Sequence, residues 1–157
     1  MPSLEGVVPV LTYQDIAAAH DFLVRAFGFD AAGVYRDVEG QAVHGEVRAG
    51  NAAIWLHRVA PEHQLDSPRG ADVANSGVFV SVDDVDAHFS RAKAEGAKII
   101  SDPVDGFWGG RIYRALDHAG HQWEISQRGR DLAGPFSFSP LRGRGENTFE
   151  AKLCLNV

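Results

Sequence analysis

The sequence predicts an α+β fold in which two βαβββ repeats form a curved mixed sheet around a cleft, followed by a C-terminal extension. Three observations lead there. Two halves of the chain share one order of apolar run, amphipathic stretch and three strand-like segments, although their residues differ. The 157 residues suffice for one domain, burying roughly two thirds of the surface of the unfolded chain. The net charge of −6 divides unevenly: residues 1–127 hold 10 basic and 18 acidic side chains, whereas residues 128–157 hold 5 and 3, which sets the last segment apart.

The first repeat, about residues 5–59, opens on the apolar run Val7-Val8-Pro9-Val10-Leu11, followed by Tyr13-Gln14-Asp15-Ile16. Ile16, Ala19, Leu23 and Phe27 recur at helical spacing, and Gly28 is placed to cap the helix C-terminus. Strands are expected at about 32–37, 41–48 and 51–59, punctuated by Glu39-Gly40 and by Ala49-Gly50-Asn51. Residues 60–76, with Pro61, Pro68 and Gly70, read as a linker.

The second repeat, about 77–127, starts with the strand Gly77-Val78-Phe79-Val80-Ser81-Val82. Asp83 can cap a helix carrying Val85, Phe89 and Ala92 as far as Gly96. Strands follow at about 97–101, 110–116 and 121–127. The turn Asp117-His118-Ala119-Gly120 has aspartate first and glycine fourth, as a type I turn prefers. Neither repeat can bury its sheet well alone, and pairing the two leaves a concave surface able to enclose a small ligand. Beyond Arg128 the chain is rich in Gly, Arg, Pro and Ser. It then alternates Phe149, Ala151, Leu153, Leu155 and Val157 with polar residues, a half-buried strand pattern expected to pack on residues 1–127 or on a dimer partner.

Composition removes several function classes. Hydrophobic content of 45% and charged content of 23% are those of a globular domain. The acidic balance opposes nucleic-acid binding, which needs a surplus of Lys and Arg. Cys154 is the only cysteine, so neither a disulfide framework nor a CxxC metal knuckle is available, and in a terminal strand it reads as packing rather than as a nucleophile. No apolar run reaches the roughly 18 residues that a membrane span needs, and no basic-then-apolar leader opens the chain. A cytoplasmic, non-membrane protein is expected. Phosphate-loop, dinucleotide, nucleophile-elbow and HExxH motifs are all missing from the sequence.

Two segments carry a family resemblance: Val82-Asp83-Asp84-Val85-Asp86 leading to Ala92-x-x-x-Gly96-Ala97, and Gly110-Arg111-x-Tyr113-Arg114-x-x-Asp117-x-x-Gly120-His121-x-Trp123-Glu124. With the repeat they resemble the vicinal oxygen chelate superfamily, which includes glyoxalase I, bleomycin-resistance proteins and extradiol dioxygenases, over about residues 5–127. The resemblance implies a divalent metal on the concave surface, held from the first and last strand of each repeat. Those positions fall on Val8, Trp55 (or Ile54, one residue shifted), Gly77 and Glu124. Only Glu124 has a ligating atom, and one carboxylate does not hold Zn²⁺, Ni²⁺ or Fe²⁺. No metal ligands and no cofactor are therefore expected, and the chain looks closer to metal-free members that sequester antibiotics in aromatic clefts as dimers.

Glu124 is the ionisable group expected in the cleft, as a proton-transfer base, as partner to a cationic ligand, or as a carboxylate bonded to a neighbouring Arg or His. Trp55 stands at a ligand position, so its ring should line the wall, with His57 on the same strand face. Phe107 and Trp108, on a glycine-flexed loop, either stack on a ligand or pack on a partner subunit. Arg111 and Tyr113 share a face and suit an anionic or phenolic group, unless Arg111 forms a structural ion pair. Trp123 is expected on the helix side. His44, His57, His63, His118 and His121 read as surface or hydrogen-bonded histidines, with a displaced metal site from His44, Glu46 and Glu124 only if those converge.

The leading expectation is a homodimeric protein binding a small aromatic or amphipathic molecule in a metal-free cleft. The alternatives are a lyase, isomerase or dioxygenase-type enzyme with a displaced metal or with Glu124 as general base, and a non-catalytic structural or regulatory partner.

Overall fold

Each repeat turns from its first strand into its helix through an aspartate, because a short carboxylate can satisfy the free N–H groups that open a helix. In the computed structural model, which describes residues 6–69, 71, 74–106 and 109–127, β1 (Val10–Tyr13) leads into α1 (Ile16–Phe27). Asp15 accepts a 3.0 Å bond from the Ala18 amide. Gly28 ends the helix in the left-handed region (φ 72°), its N–H reaching back to the last turn. Then come β2 (Asp30–Arg36), β3 (Ala42–Ala49) and β4 (Ala52–Arg58), and after the linker β5 (Gly77–Val82), α2 (Val85–Ala94), β6 (Lys98–Asp105), β7 (Arg111–Leu116) and β8 (Gln122–Gln127).

Two details differ from expectation. Asp84, not Asp83, caps α2, accepting 2.9 Å from the Ala87 amide. The Gln127 side chain takes the Val85 amide at 3.0 Å and settles that boundary. Strand β6 runs on to Asp105, because register shifts between Ile99 and Val104 let it follow the twist of β7.

The eight strands form two four-stranded sheets of matching order, β1-β4-β3-β2 and β5-β8-β7-β6. In each, the first strand runs parallel to the last and the rest are antiparallel, as two βαβββ units require. One face of each sheet carries the helix of its repeat and the other is open. The helix-side faces meet in one core that holds Tyr13, Leu23, Phe27, Phe29, Leu56, Val85, Tyr113, Trp123 and Ile125. Trp123 packs 5.2 and 5.5 Å, centroid to centroid, from the Phe27 and Phe29 rings of the other repeat.

Two buried polar knots tie the repeats together. Asp117, in the β7–β8 turn, accepts from Tyr13 Oη (2.7 Å), Trp123 Nε1 (3.1 Å) and the amides of Ala119 and His121 (both 3.0 Å). His88 of α2 joins the Phe27 carbonyl in the last turn of α1 (2.9 Å) to the Tyr113 hydroxyl of β7 (2.7 Å). The carbonyl can only accept, so His88 donates from Nε2 and accepts a hydrogen bond from the Tyr113 hydroxyl at Nδ1. Buried polar groups satisfied in this way specify one arrangement of the surrounding core.

The expected terminal strand, Cys154, and the aromatic pair Phe107 and Trp108 lie outside the described residues.

Candidate functional site

Strand register sorts every proposed residue onto one face or the other. In the first sheet β4 buries Ile54 and Leu56 against the helix, so Trp55 and His57 point from the open face. The two-residue turn at Gly50-Asn51 pairs Glu46 with Trp55 and His44 with His57. Val10 lies beside Trp55 on the far side, and Tyr35 beside His44.

These neighbours hold the Trp55 ring. Its Nε1 donates to Glu46 Oε2 at 3.1 Å, while Arg48 Nε donates to Glu46 Oε1 at 2.7 Å. His44 meets the indole edge to face, with centroids 5.4 Å apart, and Tyr35 lies 5.7 Å beyond His44. Aromatic pairs prefer such geometry. The result is a ladder of three rings across three strands, with Trp55 still 42% exposed.

On the second sheet β8 buries Trp123 and Ile125, which puts Glu124 on the open face. Phe79 and Arg114 are its neighbours in register. Arg114 Nε lies 3.4 Å from Glu124 Oε1, and Phe79 is 54% exposed. The row Val10–Trp55–Glu46 in the first sheet thus has its counterpart in Phe79–Glu124–Arg114 in the second.

Arg111 and Tyr113 stand on the other side of that sheet from Glu124. Tyr113 is fully buried beneath α2 and bonded to His88, and burial pushes its hydroxyl pKa far up. Arg111 clasps Asp86 of α2 through Nε and Nη2 (2.9 and 3.0 Å) and Asp105 through Nη1 (2.8 Å), the structural ion-pair alternative for this residue. Neither points from the open face. Trp123 lies on the helix side, as expected.

The single cleft anticipated between the repeats takes another form within one chain. The repeats meet through their helices, and the roughly 550 Å³ cavity between them is lined by Phe27, Phe29, Val80, Asp84, His88 and Arg91 among others. It holds neither Trp55 nor Glu124, which sit on the open faces of separate sheets.

The histidines divide as well. His121 is buried, stacked 4.6 Å from the Tyr13 ring, and desolvation lowers its pKa. His88 is lowered for the same reason. Among the described residues no three His, Cys, Asp or Glu side chains gather as metal ligands, so His44, Glu46 and Glu124 do not converge within the chain. The divalent metal that the motifs imply does not fit: valine and glycine at positions 8 and 77 have no side-chain donor, the Trp55 indole only donates protons, and Glu124 alone remains.

The residues beyond the sequence expectation are Tyr35, Arg114 and Phe79, together with Glu46 as the partner of Trp55. A signal for two of these contacts existed. Counting outward from the two-residue turn at 50–51 pairs Glu46 with Trp55, and counting outward from the three-residue loop 118–120, closed by the Asp117 amide on the His121 carbonyl, pairs Arg114 with Glu124.

Comparison with known proteins agrees with this geometry. TioX from Micromonospora sp. ML1 is 32% identical, with 77% of this chain and 96% of that chain covered and a TM-score of 0.62. An uncharacterized protein of Mycobacterium tuberculosis (strain ATCC 25618 / H37Rv) is 29% identical over 127 residues, covering 79% of this chain and 75% of its own. The fosfomycin resistance protein FosX from Listeria monocytogenes, solved with Mn(II) and sulfate, shares the fold at 16% identity, with 80% of this chain and 93% of that chain covered and a TM-score of 0.60. The model of the glyoxalase/bleomycin resistance protein/dioxygenase superfamily matches residues 7–125, and the chain belongs to that superfamily.

Proposed function

We propose that this protein binds a small aromatic or amphipathic molecule without a metal, in a cleft that a second copy of the chain completes. The observation that carries the reading is the fixed, exposed indole of Trp55, whose N–H is committed to Glu46 and whose ring meets His44 in a T-shaped contact. A flat ring held at low conformational-entropy cost is a good stacking platform. Each open face leaves large apolar groups exposed, Val10 and Trp55 on one sheet and Phe79 and Val104 on the other. A two-fold arrangement lets the first sheet of each copy face the second sheet of its twin, which covers both. Trp55 of one subunit then shares a cleft with Glu124 of the other, and the Glu124–Arg114 pair offers an acceptor and donors for a polar group of the ligand. We place the protein in the cytoplasm, with no nucleic-acid or membrane partner; no described helix is long and apolar enough to cross a membrane.

The test combines mass, metal content and ligand titration. Light scattering should give a dimer, and protein purified without chelator should hold no stoichiometric Zn, Ni, Fe or Mn. Planar aromatic probes should bind, with affinity lost in Trp55→Ala and reduced in Glu124→Gln. Stoichiometric metal overturns the metal-free reading, and unchanged affinity in both variants removes these residues from the site.

A further inference from the structure

The hydrogen-bonding state of His57 says more about the ligand. His57 Nδ1 lies 2.7 Å from the carbonyl oxygen of Arg58. A carbonyl has no proton to give, so Nδ1 carries the hydrogen, and in the neutral form of an imidazole so bonded Nε2 is the acceptor. Among the described residues Nε2 has no hydrogen-bond partner, and His57 is half-buried. It stands two residues from Trp55 on the same face, about 6.6 Å along the strand. Of the other polar groups beside Trp55, both Glu46 oxygens already accept, from Trp55 and from Arg48, and the His44 ring packs on the indole itself. On this sheet a ring lying over Trp55 meets an acceptor whose tautomer is set by the backbone.

We infer that the ligand is a planar aromatic carrying a hydrogen-bond donor at its edge, an aryl hydroxyl or a ring N–H, with His57 Nε2 as the group that selects it. The inference rests on the aromatic-cleft reading above. Stacking by Trp55 is tolerant of ring identity, whereas a half-buried acceptor left unpaired disfavours a ligand lacking the donor. His57 is thus the specificity-determining residue and Trp55 the platform.

Calorimetric titration of the full chain at pH 8 with 2-naphthol and 2-methoxynaphthalene, and with indole and 1-methylindole, tests this. The donor-bearing member of each pair should bind about tenfold tighter, the scale of one hydrogen bond. His57→Ala should abolish the difference, by weakening the donor-bearing compounds, strengthening the methylated ones or both, and His57→Gln, which keeps an acceptor, should restore part of it. Nitrogen-15 spectra should read His57 as the Nδ1–H tautomer, with the Nε2 resonance moving on addition of 2-naphthol. A preference for naphthol alone assigns an aryl hydroxyl, and one for indole alone a ring N–H. Equal affinities within both pairs, or a difference that survives in His57→Ala, overturn the inference and leave the aromatic site standing. Binding of none of the four overturns both.

Discussion

The Tyr13 hydroxyl donates a 2.7 Å hydrogen bond to the Asp117 carboxylate, and the two residues belong to different repeats, 104 positions apart. Burial and the neighbouring carboxylate both push the Tyr13 pKa up, so it remains a donor. Tyr13→Phe removes a bond to a charged group and should lower the unfolding free energy in urea by about 2 kcal/mol. A loss below about 0.5 kcal/mol, the scale of a surface change, would show that the knot between the repeats is dispensable.

Stability should fall on acidification through the histidine range. His88 and His121 both have folded-state pKa values lowered by burial, so between the folded and unfolded values the unfolded chain binds more protons. Full stability is present above the ordinary histidine value and declines as pH drops below it, levelling off once both states are protonated. Urea midpoints at pH 8, 6.5 and 5 should decrease in that order, and His121→Phe should flatten the profile. A midpoint that rises on acidification would contradict this assignment.

Gly45 of β3 lies directly under α1. A Cβ there would stand 2.8 Å from Ile16 Cγ2 and 3.3 Å from the Leu56 side chain, closer than packed atoms allow. Gly45→Ala should cost about 1–3 kcal/mol through overpacking, readable as a lower thermal midpoint with an unchanged circular-dichroism spectrum. Gly40, whose added Cβ would meet nothing, sits at φ 83°, so Gly40→Ala reports backbone strain alone and serves as the contrast.

Arg111 and Arg114 lie three residues apart on opposite faces of one strand. Arg111→Met removes ion pairs to Asp86 and Asp105 and should leave ligand affinity unchanged, whereas Arg114→Met strips Glu124 of its partner and should change it. Calorimetry on both variants checks this. Equal losses would place Arg111 in the site after all.

Local pattern alone carried much of the architecture. The apolar runs, the helical spacing of Ile16, Ala19, Leu23 and Phe27, and the Gly28 cap marked the elements. The short loops Gly50-Asn51 and His118–Gly120 set strand register, because a tight hairpin leaves one pairing that keeps the buried faces together. Read strand by strand, Arg111 and Tyr113 merely share a face. Only when the pairing is counted through the turn does Tyr113 fall opposite Ile125 and join Trp123 beneath the helix.

Residue order alone specified the pair of βαβββ repeats, the family, and the alternation that separates Trp55 and Glu124 from the core. The tertiary structure decided which partners those side chains meet and that one chain does not bring the two together. Period-2 alternation is local and says nothing about how the repeats pack. That choice was made by non-local contacts, Trp123 against Phe27 and Phe29, Asp117 with Tyr13, and His88 with the Phe27 carbonyl, which join the repeats on their helix sides and leave the other face of each sheet open.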